Sequence, residues 1–255
     1  MTMLRTRGLC KRFGGLQALS EVDFEVRRGE IFGLIGPNGA GKTSLFNCLT
    51  GLYAPDQGSL ELDGADLRGR APHEVVKLGM ARTFQNIRLF GNMTALENVM
   101  VGRHARTRSG VLGAVLGTAA TRREEMDSRA RAMALLERVG IARHGRVLAQ
   151  HLPYGDQRRL EIARALATEP KLLALDEPAA GMNPSEKQGL RELLVGLREE
   201  GLTLLLIEHD MGLVMKLCDR VMVLDFGVKI AEGPPAQIRD DPKVIAAYLG
   251  AEVLP

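Results

Sequence analysis

The chain has 255 residues, and its 34 Lys and Arg against 31 Asp and Glu leave a net charge of only +3. This length excludes a peptide or a disulfide scaffold, and the charge balance is typical of neither a nucleic-acid-binding nor a membrane-binding protein. Cys10, Cys48 and Cys218 are few and far apart, which predicts small core residues in a reduced compartment. No apolar run has signal-peptide or bilayer-spanning length, so we expect a cytosolic chain or one held at a membrane by other proteins.

Elements in the first third of the chain follow clear patterns. Residues 4–10 and 21–26 alternate apolar and polar side chains, which predicts half-exposed strands at a sheet edge. Residues 30–52 run through an apolar strand, a glycine-rich turn and a helix. The Asp63-Gly64 pair predicts a hairpin turn.

Helices dominate the middle of the sequence and strands return after it. Thr94 and Glu97 predict a capping box, and residues 123–139 a charged helix. Residues 171–178 and 202–210 are short apolar runs bounded by charge, as expected of strands buried on both faces of a parallel sheet. Strands and helices therefore alternate at both ends of the chain, which predicts an α/β core with an inserted helical subdomain.

Three further segments complete this organisation. A helix is predicted between the two buried strands, with Asn183 as its N-cap, Pro184 at its first position and Gly201 after its end. The uncharged stretch 110–121 and the tail after about residue 233 are interpreted as additions to the core.

The sequence GPNGAGKTS matches the phosphate-binding pattern G-x-x-x-x-G-K-[ST]. It follows a buried strand and opens a helix, so backbone N–H groups and the helix dipole can converge on one phosphate. Lys42 would reach the β- and γ-phosphates, and the Thr43 hydroxyl would ligate Mg²⁺. The sequence thus predicts nucleotide binding, with a structural turn as the alternative. The nucleotide-binding residues are Gly36, Pro37, Asn38, Gly39, Ala40, Gly41, Lys42, Thr43 and Ser44.

Polar side chains end the predicted core strands. Asp176 and Glu177 follow one buried strand, where Asp176 would hold Mg²⁺ and Glu177 would polarise the attacking water. His209 ends the next strand and could sense a γ-phosphate, while Gln85 follows a fourth short strand and could orient the water or the metal. The alternatives are a strand end that meets solvent and an ordinary surface histidine.

A turn opens into a helix at residues 152–166, and two arginines, Arg158 and Arg159, are expected in the first helical turn. That position is unusual, since a helix start favours negative charge. Residues 103–159 hold 12 arginines and five carboxylates, which a solvated face would also explain.

The phosphate loop, then Gln85, then a glycine-containing turn about twenty residues before Asp176, and finally His209 resemble, in order and spacing, the ATP-binding cassette (ABC) family over nearly the whole chain. The resemblance implies a P-loop NTPase (RecA-like) α/β core with an inserted α-helical subdomain and an N-terminal antiparallel β subdomain. It places the core at 1–85 and 168–233, the helical subdomain at 86–167 and a C-terminal extension at 234–255.

The family resemblance also implies roles for further residues. The turn corresponds to the signature motif, which is presented to the nucleotide of the opposite subunit. Phe13 matches the aromatic position that stacks on adenine, although a core Phe is the alternative. Asn183 matches the loop that crosses the dimer, and Leu89 and Phe90 match the position that receives coupling helices of membrane subunits. The signature residues are Leu152, Pro153, Tyr154, Gly155, Asp156 and Gln157.

The signature departs from the family pattern. Pro153 and Tyr154 replace the usual Ser and Gly, so a hydroxyl is lost, and Asp156 stands where Gln is usual. Pro153 also lacks an N–H group. The site completed by this signature is therefore expected to hydrolyse ATP slowly or only hold it, which favours a heterodimer.

Residues 154–166, 175–184 and 241–250, with an extra segment around 103–125, resemble the LivG-type ATPases of branched-chain amino acid importers. The resemblance implies ATP and Mg²⁺ as cofactors. It also implies a second, LivF-like cassette, two membrane permease subunits and a periplasmic binding protein, with the chain peripheral on the cytoplasmic face of the inner membrane. The alternatives are lipopolysaccharide export, urea or amide import, a soluble cassette acting on nucleic acid, which we do not expect, and a catalytically dead nucleotide-binding module.

Overall fold

The computed structural model describes residues 1–104 and 119–252. The chain forms two compact units. The first unit comprises residues 1–82 together with the chain after residue 170, and the helical unit comprises residues 83–170. Residues 110–118 of the uncharged stretch, and most of the extra segment around 103–125, lie outside the described residues.

The strands of the described chain all lie in the first unit. They are β1 (Thr2–Phe13), β2 (Leu16–Arg27), β3 (Ile31–Ile35), β4 (Gln57–Leu62), β5 (Ala65–Asp66), β6 (Met80–Arg82), β7 (Leu172–Asp176), β8 (Thr203–Ile207), β9 (Arg220–Asp225) and β10 (Val228–Gly233).

Helices occur in both units. In the first unit they are α1 (Lys42–Leu49), α2 (Pro72–Leu78), α6 (Pro184–Glu199), α7 (Met211–Leu217), α8 (Pro235–Arg239) and α9 (Pro242–Glu252). In the helical unit they are α3 (Ala95–Arg103), α4 (Ala119–Arg138) and α5 (Tyr154–Leu166), with 3₁₀ turns at Ala142–His144 and Ala149–His151. Within the described ranges, no helix combines the length and apolar character needed to cross a bilayer.

Two sheets organise the first unit. Strands β2, β1, β4 and β5 form an antiparallel sheet in that order. The second sheet has the order β10-β9-β3-β8-β7-β6, and its five strands from β9 to β6 run parallel. The central strands β3, β7 and β8 are buried at every residue, as their continuous apolar sequences predict. Their carboxyl ends therefore meet at one edge, where ligands of open α/β sheets bind.

One apolar cluster joins the two sheets through α1. Leu45, Phe46 and Leu49 of α1 are fully buried in a cluster that also holds Leu4 of β1 and Leu34 of β3. Burying a side chain of this size contributes about 1.5 to 3 kcal/mol. The helix that begins at the phosphate loop is therefore fixed by its packing on both sheets.

Local signals in the sequence are confirmed where they concern caps and turns. Thr94 and Glu97 form a reciprocal capping box at the start of α3. Asp63 and Gly64 join β4 to β5 with positive φ at both residues, as a type I′ turn requires. The three cysteines are buried free thiols, as expected.

Candidate functional site

The phosphate loop connects β3 to α1 with a backbone that only glycine fits at two positions. Gly36 has a φ of 153°, and a Cβ there would lie 2.1 Å from the Leu224 carbonyl oxygen. Gly41 has a φ of 98°, and its Cβ would lie 2.6 Å from the Ala18 carbonyl oxygen. Gly41 is also the N-cap of α1 and provides no side-chain cap, so the first N–H groups of the helix stay available to an anion.

Lys42 lies inside the curve of the loop. Its ammonium donates to the carbonyl oxygens of Gly36 at 2.6 Å and Pro37 at 2.8 Å. Burial lowers the pKa of Lys42, and the charges of Glu177 and Asp176 offset part of that decrease. The loop thus presents a positive charge next to two carboxylates.

The two carboxylates come from the end of β7. Asp176 is the last residue of the strand, in register with Ile207 of β8, and its side chain is largely buried. Arg82 places a guanidinium nitrogen 3.9 Å from its carboxylate. Glu177 follows with a φ of 47°, a left-handed conformation that costs a residue with a Cβ about 1 to 3 kcal/mol. Its N–H donates to the Ile207 carbonyl oxygen at 2.9 Å, which holds the reversed backbone in place.

His209 follows β8 and lies beside Glu177. Its Nδ1 atom is 3.6 Å from a Glu177 carboxylate oxygen, while the imidazole remains 61% exposed. The structure therefore brings together Lys42, which the sequence placed at the phosphate loop, and Asp176, Glu177 and His209, which it placed at strand ends. An exposed imidazole at this distance can contact both the carboxylate and a group bound over the sheet edge.

The donor set suits Mg²⁺ held partly by a nucleotide. Among the described residues no cluster of three or more His, Cys, Asp or Glu side chains could hold a metal by itself. Mg²⁺ typically takes one or two protein oxygen ligands and completes its shell with water and substrate phosphates. The Thr43 hydroxyl and the Asp176 carboxylate are oxygen ligands of that kind.

Phe13 ends β1 and is 41% exposed, so the alternative interpretation of Phe13 as a core residue is wrong. Its ring meets the Tyr53 ring edge-on, with centroids 5.2 Å apart, and the Lys11 ammonium lies 5.3 Å from its centroid. An exposed aromatic face of this kind can stack on a planar base.

Asn183 is the N-cap of α6, as its sequence context predicts. Its side-chain oxygen accepts from the Glu186 N–H at 3.0 Å, and the Glu186 carboxylate accepts from the Asn183 N–H at 2.9 Å. The loop that leads from Glu177 therefore ends in a closed capping box.

Gln85 and the signature residues belong to the helical unit. Pro153 is the N-cap of α5, and no side chain caps this helix start. Gly155 is buried in the first turn, and the Gln157 amide donates to the Leu152 carbonyl oxygen at 2.9 Å. Pro153 therefore offers no side-chain acceptor to the first-turn N–H groups of α5.

The expectation that Arg158 and Arg159 lie in the first turn is wrong. Because α5 begins at Tyr154, Asp156 occupies the first turn and the arginines lie in the second. Arg158 is 3% exposed and donates to the carbonyl oxygens of Phe84, at 2.8 Å, and of Gln85. It therefore binds the backbone around Gln85.

Arg158 also contacts Tyr154 of the signature and a second buried charge. It donates to the Tyr154 hydroxyl at 3.0 Å and pairs with buried Glu161 at 3.3 Å. Glu161 in turn accepts from the Phe84 N–H at 3.2 Å. Burial raises the pKa of Glu161, and the Phe84 N–H and the Arg158 charge offset part of the rise. Sequence analysis missed Glu161, whose only signal is its i, i+3 spacing from Arg158.

Comparisons with known proteins agree with this geometry. A family model described as "ABC transporter" matches residues 19–180, and one described as "Branched-chain amino acid ATP-binding cassette transporter" matches residues 228–253. A solved ATP-binding cassette of an ABC transporter in its ADP conformation has a TM-score of 0.86 and 33% identity, over 98% of this chain and 99% of that one. The predicted fold class is thereby confirmed.

Two curated relatives cover almost the full chain. The high-affinity branched-chain amino acid transport ATP-binding protein LivG of Salmonella typhimurium is 49% identical over 97% of this chain and 98% of its own length. The lipopolysaccharide export system ATP-binding protein LptB of Haemophilus influenzae is 34% identical, over 99% of both chains. With a family match over more than half of its length and a relative of this identity, the chain belongs to the ABC transporter family, as an ATP-binding protein of the LivG type.

Proposed function

We propose that this chain is the ATP-hydrolysing subunit of an importer of branched-chain amino acids. The observation that carries the proposal is the cluster of Lys42, Asp176, Glu177 and His209 at the carboxyl edge of the parallel sheet. Importer function is favoured over lipopolysaccharide export because the LivG relative is 49% identical and the LptB relative 34%. The family match at residues 228–253 supports the same choice.

In the proposed reaction, water attacks the γ-phosphorus, the bond to the β-phosphate oxygen breaks, and ADP and phosphate leave. Glu177 takes a proton from the attacking water, and Lys42 bonds the β- and γ-phosphate oxygens. His209 contacts the γ-phosphate beside Glu177. Thr43 and Asp176 would hold Mg²⁺, which would neutralise phosphate charge when bound.

Residues outside this cluster complete the proposed site. The side chain of Gln85 orients the water or the metal, while Phe13 stacks on adenine. The uncapped start of α5, with Gly155 in its first turn, offers N–H groups to the γ-phosphate of a second cassette. Because Pro153 has no N–H, this signature suits a different, LivF-like partner better than a copy of itself.

The remaining partners follow from the proposed transport role. Two permease subunits would dock on the helical unit near Leu89 and Phe90, of which Phe90 is 48% exposed. A periplasmic binding protein would deliver the amino acid, so this chain would work on the cytoplasmic face of the inner membrane. We also propose that residues 86–167 act as the signature subdomain and 234–255 as a C-terminal extension of the core.

Glu177→Gln and Lys42→Ala test the enzymatic part of the proposal. Glu177→Gln should bind ATP normally and stop turnover, whereas Lys42→Ala should weaken ATP binding. In solution, the Glu177→Gln protein with Mg²⁺ and ATP should pair with a second cassette and remain a monomer alone. Normal hydrolysis by Glu177→Gln would refute the base assignment, and an ATP-dependent homodimer would refute the heterodimer.

The substrate is tested in cells that lack the chromosomal copy of the gene. The wild-type chain should restore uptake of labelled leucine, and Glu177→Gln should not. Restored urea uptake without leucine uptake would contradict the proposed substrate.

A further inference from the structure

Glu208 is a buried carboxylate that the proposed reaction does not use. It follows β8, which lies between the phosphate-loop strand β3 and the carboxylate strand β7. The residue is 1% exposed, and its N–H lies 3.4 Å from the Leu34 carbonyl oxygen of β3. An ionisable side chain is rarely buried to this extent unless its oxygens are hydrogen-bonded.

Each oxygen of the Glu208 carboxylate accepts hydrogen bonds from a different loop. One oxygen accepts from the Ala179 N–H at 3.0 Å. The other accepts from the N–H groups of His209, at 3.2 Å, and of Asp210, at 3.4 Å. Burial raises the pKa of Glu208, and these three N–H donors offset part of the rise. Only a carboxylate accepts at both ends, because an amide of the same shape donates at one of them.

The first of these loops, residues 177–183, runs from Glu177 to the α6 N-cap Asn183. Ala179 lies near its start, and the Met182 N–H donates back to the Ala179 carbonyl oxygen at 3.2 Å. The bond to Glu208 therefore fixes the loop just after Glu177.

The second loop carries His209. Because its imidazole is 61% exposed, its position near Glu177 depends on the backbone that carries it. On the far side of His209, Asp210 caps α7 by accepting from the Leu213 N–H at 3.1 Å and bonds Lys187 of α6 at 2.6 Å. The backbone on both sides of His209 is thus fixed, by Glu208 before it and by Asp210 after it.

We propose that Glu208 is a positioning residue that couples the 177–183 loop to the backbone of His209 and so keeps His209 aligned with Glu177. The inference rests on the proposed roles of Glu177 and His209 in ATP hydrolysis. A shift of either loop would then be transmitted to the other within one subunit, since both bond the same carboxylate.

Glu208→Gln is the sharpest single change, because it keeps the shape and turns one acceptor into a donor. The full chain is assayed with the second cassette that supports its turnover. We expect kcat to fall about tenfold, the effect of losing one charge-assisted hydrogen bond, and KM for ATP to stay within about twofold. Glu199→Gln, the same change at an exposed position, is the control and should leave both parameters unchanged.

A double-mutant cycle with His209→Ala separates positioning from general stability. If Glu208 acts through His209, Glu208→Gln should lower kcat less than about twofold in the His209→Ala background. If the decrease in kcat of the double variant equals the product of the two single decreases, the proposal is overturned. If Glu208→Gln does not fold, Glu208→Asp replaces it, since the shorter side chain reaches only one loop.

Hydrogen exchange tests the coupling without reference to catalysis. Peptides covering 177–183 and 207–212 should both exchange faster in Glu208→Gln than in Glu199→Gln. Unchanged exchange in either segment would overturn the coupling. If His209→Ala keeps full turnover while both segments respond to Glu208→Gln, the catalytic role of His209 is wrong and the coupling stands.

Discussion

Removing Glu161 should destabilise the helical unit strongly. Its carboxylate is 2% exposed, pairs with Arg158 at 3.3 Å and accepts from the Phe84 N–H at 3.2 Å. Glu161→Ala removes the counter-charge of the buried Arg158 guanidinium and the carboxylate that accepts from the Phe84 N–H. Breaking a buried pair in this way costs about 3 to 5 kcal/mol. Replacing both partners with apolar residues, as in Arg158→Met with Glu161→Leu, should cost less than the sum of the single changes.

Urea unfolding followed by circular dichroism measures the effect. With a slope of about 3 kcal/mol per molar urea, Glu161→Ala should lower the midpoint by about 1 to 2 M. Glu137→Ala is the matched control, because it makes the same change at an exposed position of α4 in the same unit. A loss below about 1 kcal/mol for Glu161→Ala, or one equal to the control, would refute the assignment of a buried, structurally required pair.

Three further predictions address the first unit. Gly41→Ala should abolish ATP binding measured by calorimetry, because a Cβ would lie 2.6 Å from the Ala18 carbonyl oxygen, and normal affinity would contradict this geometry. Asn183→Ala should lower the free energy of unfolding by about 1 kcal/mol through loss of the α6 cap, and an unchanged urea midpoint would show that the cap contributes nothing. Burial raises the pKa of Cys48 to about 11 and of Cys218 to about 12. Neither thiol should therefore react with maleimide at pH 8 until urea unfolds the chain, and rapid labelling of either one in the folded protein would disprove its burial.

The sequence predicted those parts of the site that depend on strand ends and local chemistry. Lys42 begins α1, Asp176 ends β7 and His209 follows β8, and the sequence pattern of each of these elements is strong. The parallel sheet brings the carboxyl ends of its strands to one edge, so the clustering of these residues follows from the topology.

The parts that sequence reasoning missed are buried charges. Periodicity assigns charged residues to the solvent face of a helix, so it does not predict the buried positions of Arg158 and Glu161. Their inward positions depend on carbonyl and amide groups about 75 residues away, at Phe84 and Gln85. Glu208 was missed for a similar reason, since an acid after an apolar strand is usually solvated.

At Glu177, the left-handed backbone makes the residue best for stability differ from the residue that the proposed chemistry requires. Glycine would adopt a φ of 47° freely, so a sequence optimised for thermostability alone would favour glycine there. Chemistry demands a carboxylate at the same position, and the chain accepts the less stable choice. Screens that select variants of this protein for heat resistance alone should therefore drift toward inactive proteins at position 177, and need a turnover requirement to keep the glutamate.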